Sequence, residues 1–251
     1  MIEINAAIFD MDGTLTDSMQ VWRTVGSEFL KSQGVIPRED VDRRFCSMSV
    51  YDAVRFMKEE YGIEGSHDEV TDAINKTVEA KYKYEVPIKD GVFELLSELD
   101  SMDIPMCIAT ATEKYMADAA LRRLGIRHFF KDIFTSRETG VGKEAPDIYL
   151  RGCALFGTEP HETAVFEDSF VAAGTAKRAG FIVAGLYDKS FEYKWDEVQR
   201  MADISAVTMC ELLGQFCKKE IYKNTPGRFK QPVRRKFIYD IIFLSDVSVH
   251  K

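Results

Sequence analysis

Three features of this 251-residue sequence predict an α/β fold: a doubly wound parallel sheet with a helical segment inserted after its first strand. The apolar run Ile4 to Phe9 ends abruptly in Asp10-Met11-Asp12-Gly13-Thr14, as a buried strand does on entering a turn. Residues 17–87 then carry almost only helical periodicity. Beyond Pro87 and Gly91, strands alternate with helices, the pattern of crossovers that cover both faces of a parallel sheet.

In chain order, Ser18 reads as an N-cap, and Trp22, Val25, Phe29 and Leu30 recur at helical spacing until Gly34 ends the pattern. Further helices are expected around 51–61 and 68–84. A helix over 92–102 precedes a strand at 106–110, and a helix over 114–124 closes at Gly125, with Thr112 as its expected N-cap. A strand at 132–135 leads through a glycine-rich loop to a helix opening at Pro146, where a proline is tolerated. The spacing then predicts a strand at 164–166, a helix over 169–179 ended by Gly180, and a strand at 182–186.

Composition narrows the function. With 33 basic and 41 acidic residues the net charge is −8, which argues against nucleic acid as a partner. Residues 218–251 hold nine Lys/Arg and three Asp/Glu, so a +6 tail follows a −14 body. Neither a signal peptide nor an apolar stretch of roughly 18 residues is present, so no membrane partner is expected. The five cysteines form no CxxC pair, which suits a reducing cytoplasm. Gly140-Val141-Gly142-Lys143-Glu144 lacks the Ser/Thr and upstream glycine of a phosphate-binding P-loop, and Glu144 is placed to pair with Lys143.

Ligands of doubly wound sheets gather at the carboxyl ends of strands. Asp10 and Asp12 follow the first strand, Thr110 ends the second, Lys143 lies beyond the third, and Glu167-Asp168 follow the fourth. Carboxylates converging on one point repel each other unless a cation joins them, and hard oxygen donors suit Mg²⁺ together with a phosphate. A threonine hydroxyl and a lysine ammonium would complete the neutralisation of a phosphoryl group.

Asp10-Met11-Asp12-Gly13-Thr14, Ile108-Ala109-Thr110, Gly142-Lys143 with Pro146-Asp147-Ile148-Tyr149, and Val165-Phe166-Glu167-Asp168-Ser169 resemble the four ordered motifs of the haloacid dehalogenase-like hydrolases. The inserted helices resemble the cap of the beta-phosphoglucomutase and phosphoglycolate-phosphatase branch. The likeness covers roughly residues 4–215. It implies a Rossmann-like core over 1–16 and 88–217, a helical cap domain over 17–87 hinged near Thr16 and Pro87, and a basic extension over 218–251.

The resemblance also implies roles. Asp10 would be the nucleophile that forms an aspartyl phosphate, and Asp12 the general acid and base. Thr110 and Lys143 would bind phosphate. The Asp10 and Asp168 carboxylates with the Asp12 backbone carbonyl would hold Mg²⁺, with Glu167 a further contributor. Met19, Trp22 and Met48 of the cap would select the substrate, a small phosphorylated metabolite. Relatives that are mutases carry a cap histidine where Trp22 stands and an arginine near Val50–Tyr51, both missing here. A cytoplasmic phosphatase, monomeric or weakly dimeric, is therefore expected ahead of a beta-phosphoglucomutase-like phosphotransferase, with a non-catalytic phosphate-binding module as the third reading.

Overall fold

The computed structural model describes residues 1–46 and 50–218. Met48 and the basic segment beyond Lys218 lie outside the described residues. The expected first strand is two: β1 (Ile2–Ile4) and β2 (Ala6–Phe9) belong to different sheets. The chain is diverted at Asn5, whose N–H donates to the Glu162 carbonyl at 2.7 Å. β3 (Met106–Thr110), β4 (Phe130–Thr135), β5 (Thr163–Glu167), β6 (Ile182–Leu186) and β7 (Ile204–Ala206) join β2 in a six-stranded sheet ordered β4-β3-β2-β5-β6-β7. Every pairing in it is parallel, as the alternating pattern predicts. β1 pairs instead with β8 (Phe216–Lys218) in a separate parallel pair.

The central strands read as apolar runs because both of their faces are covered. Phe9, Ile108 and Phe166 point into one core cluster, while Ile8, Cys107, Ala109 and Val165 point into another. The Phe9 and Phe166 rings stack with centroids 4.2 Å apart. Each ring directly precedes an acid at the sheet's edge, Asp10 or Glu167, so this stack fixes the two strand ends relative to each other.

Between β2 and β3 lie α1 (Met19–Ser32), α2 (Val41–Cys46), α3 (Val50–Tyr61) and α4 (His67–Tyr84), followed by α5 (Val92–Ser101) against the core. α4 opens with a capping box in which Ser66 and Glu69 satisfy each other's backbone N–H groups. Its buried face (Val70, Ile74, Val78, Tyr82) packs toward α1. The two ends of the insertion meet: Thr16 bridges Ile88, and the Asp17 N–H donates to the Pro87 carbonyl at 3.0 Å. The remaining helices, α6 (Lys114–Arg123), α7 (Ser136–Thr139), α8 (Asp147–Phe156), α9 (Phe170–Arg178) and α10 (Trp195–Met201), follow their strands. The helical patterns expected at 114–124 and 169–179 fall on α6 and α9.

Candidate active site

The sheet order reverses at β2, so the ends of β3, β2 and β5 stand side by side at the switch point. Asp10, Thr110, Glu167 and Asp168 are thereby brought together, each at most 6 % exposed. Carboxylate oxygens of Asp10, Glu167 and Asp168 lie within 4.8 Å of one another. Lys143 reaches them from the loop between α7 and α8: its Nζ donates to Asp10 Oδ1, and to Glu167 Oε1 at 2.6 Å. The expected Glu144–Lys143 pair is not made. Glu144 turns instead over Gly142, where a Cβ would meet its Oε2 at 2.0 Å.

The electrostatics follow from burial. Desolvation pushes the Asp10 carboxyl up to about 8, against the pull of Lys143, and the Glu167 and Asp12 charges add to the rise. Burial, then the charges of Asp10 and Glu167, push Asp168 well above the carboxylate range. Burial alone would lower Lys143, but the two carboxylates outweigh it and hold the ammonium above its ordinary value. Ionised together, the three carboxylates would exceed the one ammonium by two negative charges, which a divalent cation would neutralise. Asp168 Oδ2 and Glu167 Oε2 are buried without a hydrogen-bond partner, as oxygens reserved for a metal would be. The donor set therefore fits Mg²⁺.

Gly13 lets the loop approach this cluster. Its φ is +86°, and a Cβ there would sit 2.2 Å from Asp168 Oδ2. The same turn is tied down by Thr14 Oγ1, which donates to Asp168 Oδ1 at 3.2 Å, and by Lys89 Nζ, which donates to the Gly13 carbonyl and to Asp188 Oδ2.

Asp12 stands apart from the acidic triad, and its side chain is held by four hydroxyls. Oδ1 accepts from Ser18 at 2.6 Å and from Tyr82; Oδ2 accepts from Thr112 at 2.6 Å and from Thr110 at 3.4 Å. One sequence expectation, Thr112 as an N-cap, is corrected here, and the other, Ser18 as an N-cap, holds in position but not in bonding. Ser18 occupies the N-cap position of α1 but makes no side-chain cap bond, and the N-cap of α6 is Glu113 rather than Thr112. Both hydroxyls turn to the Asp12 charge, a stronger acceptor than a neutral group would be.

Tyr82 is a site residue the sequence conceals. It sits on the apolar face of α4, fully buried, where a tyrosine reads as core. Its hydroxyl also accepts from Trp22 Nε1 at 2.6 Å, so Trp22 is bound into the same network as Asp12. Burial, and the Asp12 charge beside it, push the Tyr82 hydroxyl well above its ordinary range, which keeps it a donor. Tyr149 of α8 was likewise hidden in a motif. Its hydroxyl donates to Glu167 Oε1 at 2.9 Å, beside Lys143. Met19 also approaches the loop, its Cγ 3.1 Å from where a Gly13 Cβ would sit.

The chain is similar in sequence and in fold to known proteins. The chain is 29% identical over 182 residues to validoxylamine A 7'-phosphate phosphatase of Streptomyces hygroscopicus subsp. limoneus, covering 72% of this chain and 84% of that protein. It is 28% identical over 177 residues to the phosphorylated carbohydrates phosphatase of Thermotoga maritima, covering 70% and 82%. The crystal structure of CbbY from Rhodobacter sphaeroides in complex with phosphate has the same fold, with a TM-score of 0.71 at 21% identity over 84% of this chain and 96% of that one. Residues 4–180 match the family model for haloacid dehalogenase-like hydrolases, so the chain belongs to that hydrolase family, as its four strand-end motifs imply.

Proposed function

We propose that this protein is a Mg²⁺-dependent phosphatase that hydrolyses a phosphorylated sugar or similar small metabolite through an aspartyl phosphate on Asp10. The observation that carries the proposal is the buried Asp10–Lys143–Glu167–Asp168 cluster at the switch point. One relative named as a phosphorylated carbohydrates phosphatase and another named as a validoxylamine A 7'-phosphate phosphatase support the substrate class.

In the first half of the reaction an Asp10 oxygen attacks phosphorus as the bond to the leaving oxygen breaks, and Asp12 gives that oxygen its proton. In the second half water attacks the same phosphorus, Asp12 takes the water's proton, and the Asp10–phosphorus bond breaks to release inorganic phosphate. Lys143 and Thr110 hold the equatorial oxygens, where charge spreads in the transition state. Glu167 and Tyr149 position Lys143. The Asp10 and Asp168 carboxylates and the Asp12 backbone carbonyl would hold Mg²⁺, with Glu167 nearby. When bound, that ion supplies charge neutralisation for both Asp10 and the incoming phosphoryl group.

The helical insertion serves as a cap that opens and closes on the paired segments at Thr16–Asp17 and Pro87–Ile88, admitting substrate and excluding water. Asp10→Asn keeps the shape of the nucleophile and removes its charge. Turnover of the best substrate should fall by about two to four orders of magnitude. Near-normal turnover in that variant would refute the covalent mechanism.

A further inference from the structure

A cavity of about 610 Å³ lies between the insertion and the loop after β6. Met19 forms part of its wall, and the Met19 Cγ lies 3.1 Å from where a Gly13 Cβ would sit, a point 2.2 Å from Asp168 Oδ2, so one residue of the wall borders the acidic cluster. Its lining includes Arg23 of α1 and Arg43 and Arg44 of α2, opposite Phe191. Among the described residues that line it the only acid is Asp42, whose Oδ1 is turned to α1, where it accepts from the Ser27 N–H at 2.7 Å. Arg44 is stacked on Phe56, its guanidinium carbon 4.2 Å from the ring centroid, which fixes one cation at the wall.

Three guanidinium groups in one cleft are unexpected on a body whose charge, outside the basic tail, is −14. Such a body repels anions at long range, and a local cluster of arginines reverses that field where a substrate enters. Guanidinium forks match phosphate and carboxylate oxygens in pairs, while Met19 and Phe191 offer apolar surface to a carbon skeleton. The arginine that the mutase branch places near Val50–Tyr51 is missing, and these come from other positions in the chain.

We infer that this cavity receives the leaving group of the substrate and that Arg23 and Arg43 bind a second anionic group on it, so the preferred substrates are sugar-sized phosphate esters bearing a further phosphate or carboxylate. This specificity rests on the phosphatase reading above. The test compares kcat/KM for glucose 6-phosphate, glucose 1,6-bisphosphate and 6-phosphogluconate, with p-nitrophenyl phosphate as a general substrate. One or both doubly anionic esters should exceed glucose 6-phosphate by at least about tenfold, and which of them does so tells phosphate from carboxylate. Arg23→Met and Arg43→Gln should each lower that ratio by about tenfold, a readout that a general loss of folded enzyme does not move. A ratio near one in the wild type, or an unchanged ratio in both variants, overturns the inference and leaves the phosphatase reading standing. If the wild type turns over none of the four esters, the phosphatase reading fails. Calorimetric binding of glucose 1,6-bisphosphate then decides the cavity alone: binding weakened about tenfold by Arg43→Gln supports it, and equal binding overturns it.

Discussion

Replacing Tyr82 by phenylalanine isolates the link between the insertion and the proposed acid and base. The change removes one hydroxyl from a fully buried ring, and with it the bond to Asp12 Oδ1 and the acceptor for Trp22 Nε1. A hydrogen bond to a charged group contributes about 1.5–3 kcal/mol. Ser18, Thr110 and Thr112 still hold Asp12, so the low end applies, and kcat on a sugar phosphate should fall about tenfold with KM little changed. A stability loss of about 2 kcal/mol should lower Tm by about 4–8 °C for a chain of this size. The discriminating assay is the single-turnover rate of leaving-group release. A sugar alkoxide needs the Asp12 proton, whereas p-nitrophenolate leaves without one, so the loss on glucose 6-phosphate should exceed that on p-nitrophenyl phosphate by about threefold or more. Equal losses on the two esters would reduce Tyr82 to a packing residue, and no loss on either would sever it from the chemistry.

Mg²⁺ should raise the Tm of the protein, by the equivalent of about 2.7 kcal/mol at a hundred times its Kd. The pH dependence has a fixed sign. Because the folded Asp10 carboxyl is raised to about 8 from 3.8, the metal-free fold loses stability as pH rises between these values, and Mg²⁺ binding displaces a proton there. The Mg²⁺-induced Tm shift should therefore grow from pH 6 to pH 8 and then level off, and a shift that shrinks over that range would contradict the burial argument. Phe166→Ala, which removes the ring stacked on Phe9, should cost about 3–5 kcal/mol by chemical denaturation; a loss below about 1 kcal/mol would show that the stack does not anchor the strand ends. Truncation after Lys219 spares β8 and every proposed catalytic group, so turnover should stay within about threefold, whereas a soluble truncated protein a hundredfold slower would make residues 220–251 part of the active assembly.

The α/β alternation, the long helical insertion and the strand-end residues Asp10, Thr110, Glu167 and Asp168 were legible because each is written locally: an apolar run followed at once by a polar group. The sheet's packing then needs no further information to bring those ends together. What stayed hidden depends on distant partners. Tyr82 lies 70 residues from Asp12, and its helical position reads as core until α4 is packed toward α1. Ser18 and Thr112 fit the local rule for helix caps, but a nearby carboxylate competes better for their hydroxyls than the backbone N–H groups do. The split between β1 and β2 falls at Asn5, whose N–H goes to the distant Glu162, and that one polar residue does not tell from the sequence that the two halves of the run join different sheets. The arginine-lined cavity draws on α1, α2 and the loop after β6, three segments with no common motif.

The bridge between Thr16 and Ile88 makes the insertion exchangeable. Its two ends are neighbours, so a foreign helical segment with similarly spaced ends could be grafted between them without re-threading any strand of the sheet. Recognition could then diversify by swapping or drifting one cassette while the acids at the switch point stay put. The freedom has a boundary: Ser18 and Tyr82, both inside the insertion, donate to Asp12 Oδ1, so a transplanted segment must bring hydroxyls of its own to that oxygen or leave the carboxylate half-held. A chimaera without those hydroxyls should select new substrates but react slowly.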